Sequence, residues 1–407
     1  MKNCWELKRL DELFDVKSSK RVHKADWKSE GVPFYRAREV VKLAENGTVD
    51  NDLFISEELF EEFTKEKGAP KQGDIIISAV GTLGQCYLVK RYDRFYFKDA
   101  SVLWFEKISD VETRYIEFAF KSDLVMNQVM HKAMGATVGT LTISRAKNIE
   151  IPIPPLQEQK QIVAILDKAF EAIEKAKANI ERNIENAKEL FQSKLNEVFS
   201  QKGEGWEKRR LGELCSKTNA KNWKEEEGEF QYIDLSSVSR ESLLVENTKT
   251  INRQTAPSRA KKIVLEGDVI FATTRPTLKR VTIINKNFHN QICSTGYCVL
   301  RPRNTSSTTW MFYFLLTDSF YNYISSLQRG TSYPAVTDKD VKNSVISVSK
   351  SSLLEKEYVE LLNELRYKTE KLLERYNSKL ELLSSLRESI MKRAFKGSLT
   401  KNNNNGC

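Results

Sequence analysis

The sequence contains few of the residues from which metal sites and disulfide frameworks are built. It has three histidines and six cysteines in 407 residues, and no two cysteines form a CxxC pair. This spacing argues against a zinc site and against a disulfide scaffold, so we expect reduced thiols in a cytoplasmic protein. No run approaches the roughly 18 apolar residues that a membrane span needs, and no secretory signal is recognisable at the start.

Motifs of catalysis are also missing. The sequence contains no GxxxxGKS/T phosphate loop, no glycine-rich loop after a predicted strand and no Asn/Asp-Pro-Pro-aromatic motif of amino-methyltransferases. The Gly-Thr-Leu-Gly stretch at residues 81–84 is more typical of an ordinary turn than of a cofactor site. We therefore predict a binding protein without catalytic residues, metal or cofactor of its own.

Positive charge is what the sequence has in excess. It contains 65 lysines and arginines against 55 aspartates and glutamates, which gives a formal net charge of +10. Such a balance favours a polyanionic partner, and nucleic acid is our first expectation, although ribosome-bound and membrane-surface proteins share it. A chain of 407 residues also exceeds what one hydrophobic core usually holds, which indicates two or more domains.

The chain repeats itself at an interval of about 200 residues, and several segments return in the same order at a nearly constant offset. The matching pairs are Trp5–Leu13 and Trp206–Leu214, Gly73–Ile77 and Gly267–Phe271, residues 135–142 and 330–337, and the phenylalanines Phe199 and Phe395 that end two long charged stretches. The chain therefore consists of two copies, each with a globular segment followed by a helical one.

The two copies predict five segments along the chain. Residues 1–156 and 204–351 are predicted to be globular, residues 157–203 and 352–396 to be helical, and residues 397–407 to be a tail. The predicted fold class is α+β, with two β-rich mixed globular domains in a pseudo-two-fold arrangement. We expect two long antiparallel coiled-coil helices to separate these domains.

Local patterns inside the globular segments indicate a mixture of strands and helices. Short apolar or aromatic runs bounded by Gly, Asp or Lys predict strands at residues 74–78, 96–97, 102–105, 268–271 and 297–300. Apolar residues at helical spacing predict further helices over residues 113–134 and 307–327.

Both helical segments carry an apolar stripe that no proline or glycine interrupts, which is typical of long amphipathic helices. The stripe of the first helix comprises Ile162, Leu166, Ala169, Ile173, Ala176, Ile180, Ile184, Ala187, Phe191, Leu195 and Val198. That of the second comprises Tyr358, Leu361, Leu365, Leu372, Tyr376, Leu383, Leu386, Ile390 and Ala394. A helix of about 45 residues is about 65 Å long, so the pair can act as a ruler between the globular segments. A dimerisation coiled coil is the alternative.

Basic, hydroxyl and glycine residues cluster in predicted loops and are candidates for DNA contact. Arginine and lysine neutralise phosphates, a well-placed arginine reads guanine with two hydrogen bonds, and small residues let the backbone approach closely. The candidates in the first copy are Lys17, Ser18, Lys20, Arg36, Arg38, Ser78, Gly81 and Thr82. Those in the second copy are Arg253, Arg259, Thr274, Arg275, Lys279, Arg280, Gly330, Thr331, Ser332 and Tyr333. The strongest single candidate is the Thr273–Arg280 loop, whose counterpart is the turn at residues 78–84.

These motifs together resemble the specificity subunit of type I restriction–modification systems, over nearly the whole chain. The resemblance is carried by the repeated segments, by Ile151–Gln159 (Ile-Pro-Ile-Pro-Pro-Leu-Gln-Glu-Gln) at the start of the first long helix, by Gly330–Thr337 and by the ending Ala394–Thr400. The second copy departs from the family pattern, because Ser349–Lys356 replaces the Pro-Pro-Leu-x-Glu-Gln motif. The two junctions therefore need not contact a partner equally.

The resemblance implies a function and partners. Each globular segment would be a target-recognition domain that reads one half of a bipartite, asymmetric site in double-stranded DNA, and the helices would set the spacer. Two methylation subunits, which carry S-adenosylmethionine, would dock on the chain and methylate adenine in each half-site, and restriction or translocase subunits would join them. The residues expected to bind a partner are Pro154, Pro155, Leu156, Glu158 and Gln159.

Two other functions stay open at this point. The chain could be the recognition region of a single-chain restriction–methylation enzyme, whose catalytic motifs would lie upstream. It could also be a structural coiled-coil protein whose basic heads bind DNA without sequence specificity, which a sequence-specific footprint would disprove. Because the two globular segments share little beyond framework residues, we expect them to read different half-sites.

Overall fold

The structure is a computed structural model that describes residues 5–131, 139–200, 204–225, 228–304 and 308–400. The chain divides into two units. Unit 1 is formed by Met1–Asn179 together with Ser378–Cys407, and unit 2 by Ile180–Asn377. Each unit therefore contains one of the predicted globular segments and a part of both long helices.

Unit 1 combines short strands with helices. In chain order its elements are β1 (Glu6–Arg9), β2 (Phe14–Lys17), β3 (Val32–Tyr35), α1 (Ala37–Asn46), β4 (Phe54–Ile55), α2 (Glu57–Lys67), β5 (Ile75–Ser78), β6 (Cys86–Leu88), β7 (Tyr96–Phe97), β8 (Val102–Lys107), α3 (Thr113–Phe120), α4 (Asp123–His131), α5 (Ile143–Lys147), β9 (Glu150–Ile153) and α6 (Leu156–Phe199), which continues into unit 2.

The central strand of unit 1 is β5, which lies inside a four-stranded antiparallel sheet of order β2-β8-β5-β6. Ile75, Ile76 and Ile77 of β5 are each 0% exposed, because both faces of this strand are covered. Alternate residues enter different cores, as the two-residue period of a strand requires. A smaller sheet of order β4-β3-β7 and the antiparallel pair β1–β9 complete the strand pairing.

Unit 2 has an equivalent set of elements. They are β10 (Trp206–Arg210), β11 (Cys215–Ser216), β12 (Phe230–Ile233), β13 (Lys249–Ile251), β14 (Ala260–Val264), β15 (Val269–Ala272), β16 (Val281–Ile283), β17 (Gln291–Ser294), β18 (Tyr297–Pro302), α7 (Thr308–Phe314), α8 (Asp318–Ser326), α9 (Asp338–Asn343), β19 (Val345–Ser349) and α10 (Ser352–Phe395), which continues into unit 1.

The strand order of unit 2 repeats that of unit 1, so the internal repeat is confirmed. The order β11-β18-β15-β16 corresponds to β2-β8-β5-β6, the pair β10–β19 to β1–β9, and β13-β12-β17 to β4-β3-β7. The pairs β3–β7 and β12–β17 are parallel in both units. The units differ between the equivalent strands β4 and β5, and β13 and β15. Unit 1 has α2 there and unit 2 has β14, which extends its sheet.

The repeated Gly-Asp motif forms a turn with a buried aspartate before the central strand of each unit. In unit 1 the Asp74 carboxylate accepts hydrogen bonds from Lys71 N–H and Trp104 Nε1, both at 2.9 Å. In unit 2 the Asp268 carboxylate accepts two hydrogen bonds from Arg301 at 2.8 Å. Buried carboxylates require such partners. The motif is therefore part of the framework, which explains why it recurs in both copies.

The helices predicted over residues 113–134 and 307–327 are each split in two, as α3 with α4 and α7 with α8. A hydroxyl residue lies at each break. The hydroxyls of Ser122 and Thr317 donate to the carbonyl three residues earlier, at 2.6 and 2.7 Å. Such bonds compete with the backbone ladder of a continuous helix. The predicted location of the helices is confirmed and their continuity is wrong. Residues 132–134 and residue 307 lie outside the described residues.

Both long helices are confirmed, and α6 and α10 have 44 residues each. Every stripe residue predicted in α6 is buried or half-buried. The stripe predicted in α10 is partly wrong, because Leu361, Leu372 and Leu386 are 41%, 38% and 48% exposed. Leu362 is 0% exposed and occupies the core instead. Consecutive leucines make the spacing ambiguous, since neighbours on a helix point about 100° apart.

The long helices run antiparallel inside unit 1. Arg387 Nη1 near the end of α10 pairs with Glu174 Oε1 of α6 at 2.6 Å, and its guanidinium lies 4.6 Å from the ring centroid of Phe170. Thr400, farther along the chain, bonds Glu158 at the start of α6. Residues later in α10 and beyond it therefore contact residues earlier in α6, so the two helices are antiparallel, as predicted. Within the described residues, no helix has both the length and the apolar character to cross a membrane.

Candidate nucleic-acid interface

Each unit has a loop between equivalent strands of its sheet, and we call these loops the first tip in unit 1 and the second tip in unit 2. The second tip, residues 273–280, joins β15 to β16 and pairs with another loop, residues 329–336. The backbone N–H of Arg275 donates to the carbonyl of Pro334 at 2.7 Å, and Thr274 forms a β-bridge to the same loop. The structure therefore brings together two of the segments that the sequence analysis selected for DNA contact.

Two residues of the second tip have a left-handed backbone. Arg275 has φ +50° and Lys279 has φ +53°, and a single 3-10 turn, Pro276–Leu278, lies between them. A residue with a Cβ adopts this conformation at a cost of about 1–2 kcal/mol. Such backbone persists only where surrounding contacts impose it, and it is concentrated at functional sites.

The basic side chains of the second tip lie on aromatic rings. The Arg275 guanidinium lies over the ring of Tyr333, 4.5 Å from its centroid, and Tyr333 is 68% exposed. Lys279 Nζ lies 4.5 Å from the ring centroid of Tyr321. Among the residues that the structure describes, no carboxylate pairs with Arg275 or Lys279. Their charges are therefore available to an anionic partner.

The other candidates of unit 2 differ in their surroundings. Arg280 points inward, and its Nη1 donates to the carbonyl of Ser236 at 3.2 Å, so it fixes the tip to a neighbouring loop. Arg253 and Arg259 are exposed between strands, and residues 330–332 are exposed beside Tyr333. Arg280 therefore bonds within the chain, whereas the side chains of Arg253 and Arg259 are exposed.

The first tip, residues 79–85, joins β5 to β6 in unit 1 and is held like the second tip. The carbonyl of Ala79 accepts a hydrogen bond from Leu141 N–H at 2.9 Å. In the second tip the carbonyl of Thr273 accepts one from Val336 N–H, also at 2.9 Å. The two units therefore hold an equivalent loop at the same end of the same sheet by the same backbone hydrogen bond.

The first tip also has left-handed backbone at the equivalent positions. These are Gly81 with φ +71° and Gly84 with φ +79°. Gly81 corresponds to Arg275 because each is the third residue after the preceding strand, β5 or β15. Gly84 corresponds to Lys279 because each lies two residues before the following strand, β6 or β16. The left-handed residues at the two ends of the loop are thus glycines in unit 1 and cations in unit 2, where the loop is one residue longer and contains a 3-10 turn.

Ser78, the last residue of β5, holds the first tip in place. It is 0% exposed, and its hydroxyl donates to the carbonyl of Thr82 at 2.5 Å while accepting from Gln85 N–H at 3.0 Å. Gly81 and Thr82 are exposed at the end of the loop. Residues 135–137, the counterpart of residues 330–332, lie outside the described residues.

The arginine candidates of unit 1 belong to an ion-pair cluster. Arg36 Nη2 pairs with the buried Glu39 at 2.9 Å, Arg38 pairs with the same carboxylate, and Arg38 Nη2 also pairs with Asp52 at 2.9 Å. Burial opposes ionisation of Glu39, but the hydrogen bonds from Arg36 and Arg38 outweigh it and hold the pKa of Glu39 below its ordinary value. These arginines therefore carry compensated charge.

The lysine candidates of unit 1 are paired as well. Lys17 forms an ion pair with Glu106, and its hydrogen bond is the main cause of the lowered pKa of Glu106. Lys20 Nζ lies 2.8 Å from Glu66, whose hydrogen bond raises the pKa of Lys20. The hydroxyl of Ser18 accepts a backbone hydrogen bond at 3.3 Å. Among the candidate residues that the structure describes, the exposed basic side chains that pair with no carboxylate therefore all belong to unit 2.

Several residues of the Pro-Pro-Leu-x-Glu-Gln motif are buried or form hydrogen bonds within unit 1. Gln159 is 2% exposed, and its Nε2 donates to the carbonyl of Pro154 at 2.8 Å while its Oε1 accepts from Glu112 N–H at 2.8 Å. Pro154 is buried, Leu156 is half-buried and Pro155 is exposed. Of the predicted partner-binding residues, Pro155 and Leu156 thus keep the clearest access to another protein.

The degenerate second copy preserves one feature of this motif. Glu355, the fourth residue of α10, is 9% exposed, and its Oε1 accepts a hydrogen bond from Ser349 N–H at 2.8 Å. It occupies the helix position that Gln159 has in α6. Burial raises the pKa of Glu355, since the one backbone hydrogen bond offsets the desolvation only in part.

The described cysteines do not form disulfides or reactive sites. Cys86, Cys215, Cys293 and Cys298 are free and buried, and burial raises the pKa of Cys215 to about 11. Cys4 and Cys407 lie outside the described residues. Among the residues with described structure, no group of three or more His, Cys, Asp or Glu side chains is placed to hold a metal ion.

The sequence patterns did not lead us to predict that Arg275 and Lys279 of the second tip replace the glycines of the first tip. The signal was present, because the offset that aligns Gly73 with Gly267 also places Gly81 opposite Arg275. The aromatic partner Tyr321 carried no such signal, since it lies on α8, far from Lys279 in the sequence.

Comparison with known proteins identifies relatives of this chain. A putative type I restriction enzyme specificity subunit of Haemophilus influenzae is 34% identical over 184 residues, which is 42% of each chain. A type I restriction enzyme specificity subunit of Methanocaldococcus jannaschii is 25% identical over 279 residues, covering 60% of this chain and 61% of the relative. The chain thus spans about half the length of these curated relatives.

A solved structure shares the fold along the whole chain. A chain from a study of complex assembly and conformational transition in a type I R-M system matches with a TM-score of 0.76, covering 98% of this chain and 99% of the other at 20% identity. A family model, the type I restriction modification DNA specificity domain, matches residues 2–185 and again residues 203–382. These two matches coincide with the two copies, and the chain belongs to the family of type I restriction–modification DNA specificity proteins.

Proposed function

We propose that this chain is the DNA-specificity subunit of a type I restriction–modification complex, and that each unit reads one half of a bipartite site in double-stranded DNA. The observation that carries the proposal is the pair of tips. Both units hold an equivalent loop between the equivalent strands of the same sheet, but the exposed side chains of the two loops differ. Equivalent backbones with different side chains suit two readers of two different sequences.

The two tips offer different chemistry to DNA. The second tip presents Arg275 and Lys279, which pair with no carboxylate among the described residues, beside the exposed ring of Tyr333. The first tip presents Gly81 and Thr82 and has no basic side chain. An arginine favours guanine in the major groove, and a glycine allows the backbone itself to approach. The two half-sites should therefore differ in sequence, which makes the whole site asymmetric.

Partner subunits complete the proposed activity. Methylation subunits carrying S-adenosylmethionine would modify adenine in each half-site, and restriction or translocase subunits would join the complex. Pro155 and Leu156, at the start of α6, remain open to such a partner. The chain itself would bind and position DNA without performing a chemical step.

The long helices would set the distance between the half-sites. Each is continuous from one unit into the other, and a continuous helix of 44 residues is about 66 Å long at 1.5 Å per residue. Because a packed helix pair resists bending and stretching, the number of unread base pairs would be fixed by helix length.

Selection from a random-sequence duplex library tests the proposal. The full chain in its native complex should enrich two short half-sites at a fixed spacing. Uniform, salt-sensitive binding without an enriched sequence would overturn it, because phosphate contacts alone give that result. A parallel assay with labelled S-adenosylmethionine should show no methyl transfer by the chain freed of partners, and turnover by the pure chain would contradict a non-catalytic role.

A further inference from the structure

The second tip has an arginine at the left-handed position where the first tip has a glycine. We propose that Arg275 is the specificity-determining residue of unit 2, that it reads a guanine in the half-site of that unit, and that Tyr333 positions its guanidinium. The proposal rests on the proposed function, since it requires the second tip to face DNA.

The backbone argues that Arg275 is present for its side chain. Its φ of +50° belongs to a region that residues with a Cβ rarely adopt. In the first tip a glycine occupies the position equivalent to Arg275, namely Gly81 with φ +71°. A Cβ at Gly81 would meet no atom within 4 Å, so the position faces open space. Packing therefore does not require a large side chain at this position of the first tip, and we infer that Arg275 serves a partner outside the chain.

The charge of Arg275 is uncompensated. Arg36 and Arg38 in unit 1 are neutralised by Glu39 and Asp52, whereas Arg275 pairs with no carboxylate among the described residues. The only hydrogen bond from its side chain to a described group is a long one, from Nη2 to the carbonyl of Ser332 at 3.4 Å. Most of the donors of its guanidinium are therefore free to bind an acceptor.

The ring of Tyr333 explains why the acceptor is a base rather than a phosphate. With the guanidinium held 4.5 Å from the ring centroid, the side chain loses part of its freedom before binding. A planar fork held in this way matches the O6 and N7 acceptors of guanine in the major groove. A phosphate requires only a positive charge, which Lys279 at the other left-handed position supplies.

The test compares variants of the full chain in its native complex by selection from a random-sequence duplex library. Arg275→Gly copies the first tip and removes the left-handed strain, so it should fold as the wild type does by thermal unfolding. It should lose preference at one G·C position of one half-site, by about fivefold to 100-fold, and leave the other half-site unchanged. Arg275→Lys keeps the charge without the fork and should lose the same preference.

Tyr333 and a matched control separate positioning from general charge. Tyr333→Phe keeps the ring and should retain the guanine preference, whereas Tyr333→Ala should weaken it. Arg259→Ala removes an exposed cation outside the tip and should lower affinity for all sequences alike. An unchanged half-site in Arg275→Gly, or loss at a position that is not guanine, overturns the proposal. A wild-type complex that enriches no sequence overturns the proposed function and this proposal with it.

Discussion

The indole Nε1 of Trp5 donates a hydrogen bond to Glu158 Oε2 at 3.1 Å. The other carboxylate oxygen of Glu158 accepts a hydrogen bond from the hydroxyl of Thr400. One side chain at the start of α6 therefore joins the first strand region and the segment after α10 within unit 1. In the second copy the equivalent helix position is Leu354, so this tie exists only where the Pro-Pro-Leu-x-Glu-Gln motif is intact.

Removing the indole donor should destabilise unit 1. Trp5→Phe keeps an aromatic ring but leaves Glu158 without this hydrogen bond, and a bond to a charged acceptor contributes about 1.5–3 kcal/mol. The free energy of unfolding from urea denaturation measures the loss. Trp206→Phe is the matched control, because the described structure shows ring contacts for Trp206 but no hydrogen bond from its indole. Equal losses in both variants would mean that the bond contributes nothing.

The buried Glu355 should make unit 2 sensitive to pH. Its pKa is raised above the ordinary value of 4.5 by burial, so its contribution to stability is present below that value and is lost as the pH rises through the raised pKa. Glu355→Gln keeps an acceptor for Ser349 N–H and removes the charge. We expect its melting temperature to exceed that of the wild type at pH 7 and to approach it near pH 4.

The reciprocal change in the first copy controls this prediction. Gln159→Glu places a carboxylate at the equivalent buried position and removes the bond to the carbonyl of Pro154. It should lower the melting temperature, and more so at pH 7 than at pH 4. If the advantage of Glu355→Gln is the same at both pH values, the buried charge is not its cause.

The basic residues of the second tip should differ in their effects on DNA binding. Lys279→Ala should weaken binding to all sequences alike and reduce the slope of log affinity against log salt by about 1, as expected for one lost phosphate contact. Arg280→Ala should instead lower thermal stability, because Arg280 donates to the carbonyls of Ser236 and Val238. Salt titrations of binding by both variants distinguish these roles. A full salt slope in Lys279→Ala would place that lysine away from DNA.

Lengthening both long helices should lengthen the spacer of the recognised site. The variant has four residues inserted into each helix at the boundary between the units, between Asn179 and Ile180 in α6 and between Asn377 and Ser378 in α10. Each insertion adds one helical turn. One turn adds about 6 Å, which is one or two base pairs at about 3.4 Å per pair. The methylation motif of the variant complex should show the longer spacer and unchanged half-sites.

Insertions of two residues provide the control for the helix experiment. They rotate the apolar stripe away from its partner and should impair folding, which circular dichroism detects. If the four-residue variant folds and its half-sites change while its spacer stays the same, the helices do not set the spacing.

The sequence by itself determined the repeat, the two long helices and the central strands. These features depend on local periodicity, such as the stripe from Ile162 to Val198 or the isoleucines of β5, and periodicity is visible in one dimension. The sequence left open which residues of α10 face the core, because the consecutive leucines Leu361 and Leu362 both fit the helical spacing. It also left the breaks at Ser122 and Thr317 unseen, since a hydroxyl bond to an earlier carbonyl depends on side-chain geometry.

Only the tertiary structure decided which candidate residues are available to a partner. Lys20 meets Glu66 and Arg280 meets a loop more than 40 residues away in the sequence, and no local pattern reports such contacts. Gln159, a predicted partner-binding residue, is 2% exposed in the folded chain, and its Oε1 accepts a hydrogen bond from Glu112 N–H. Arg275 and Tyr333 became a pair because two loops of unit 2 form backbone bonds. Ion pairing and exposure are long-range properties, fixed once the chain has folded.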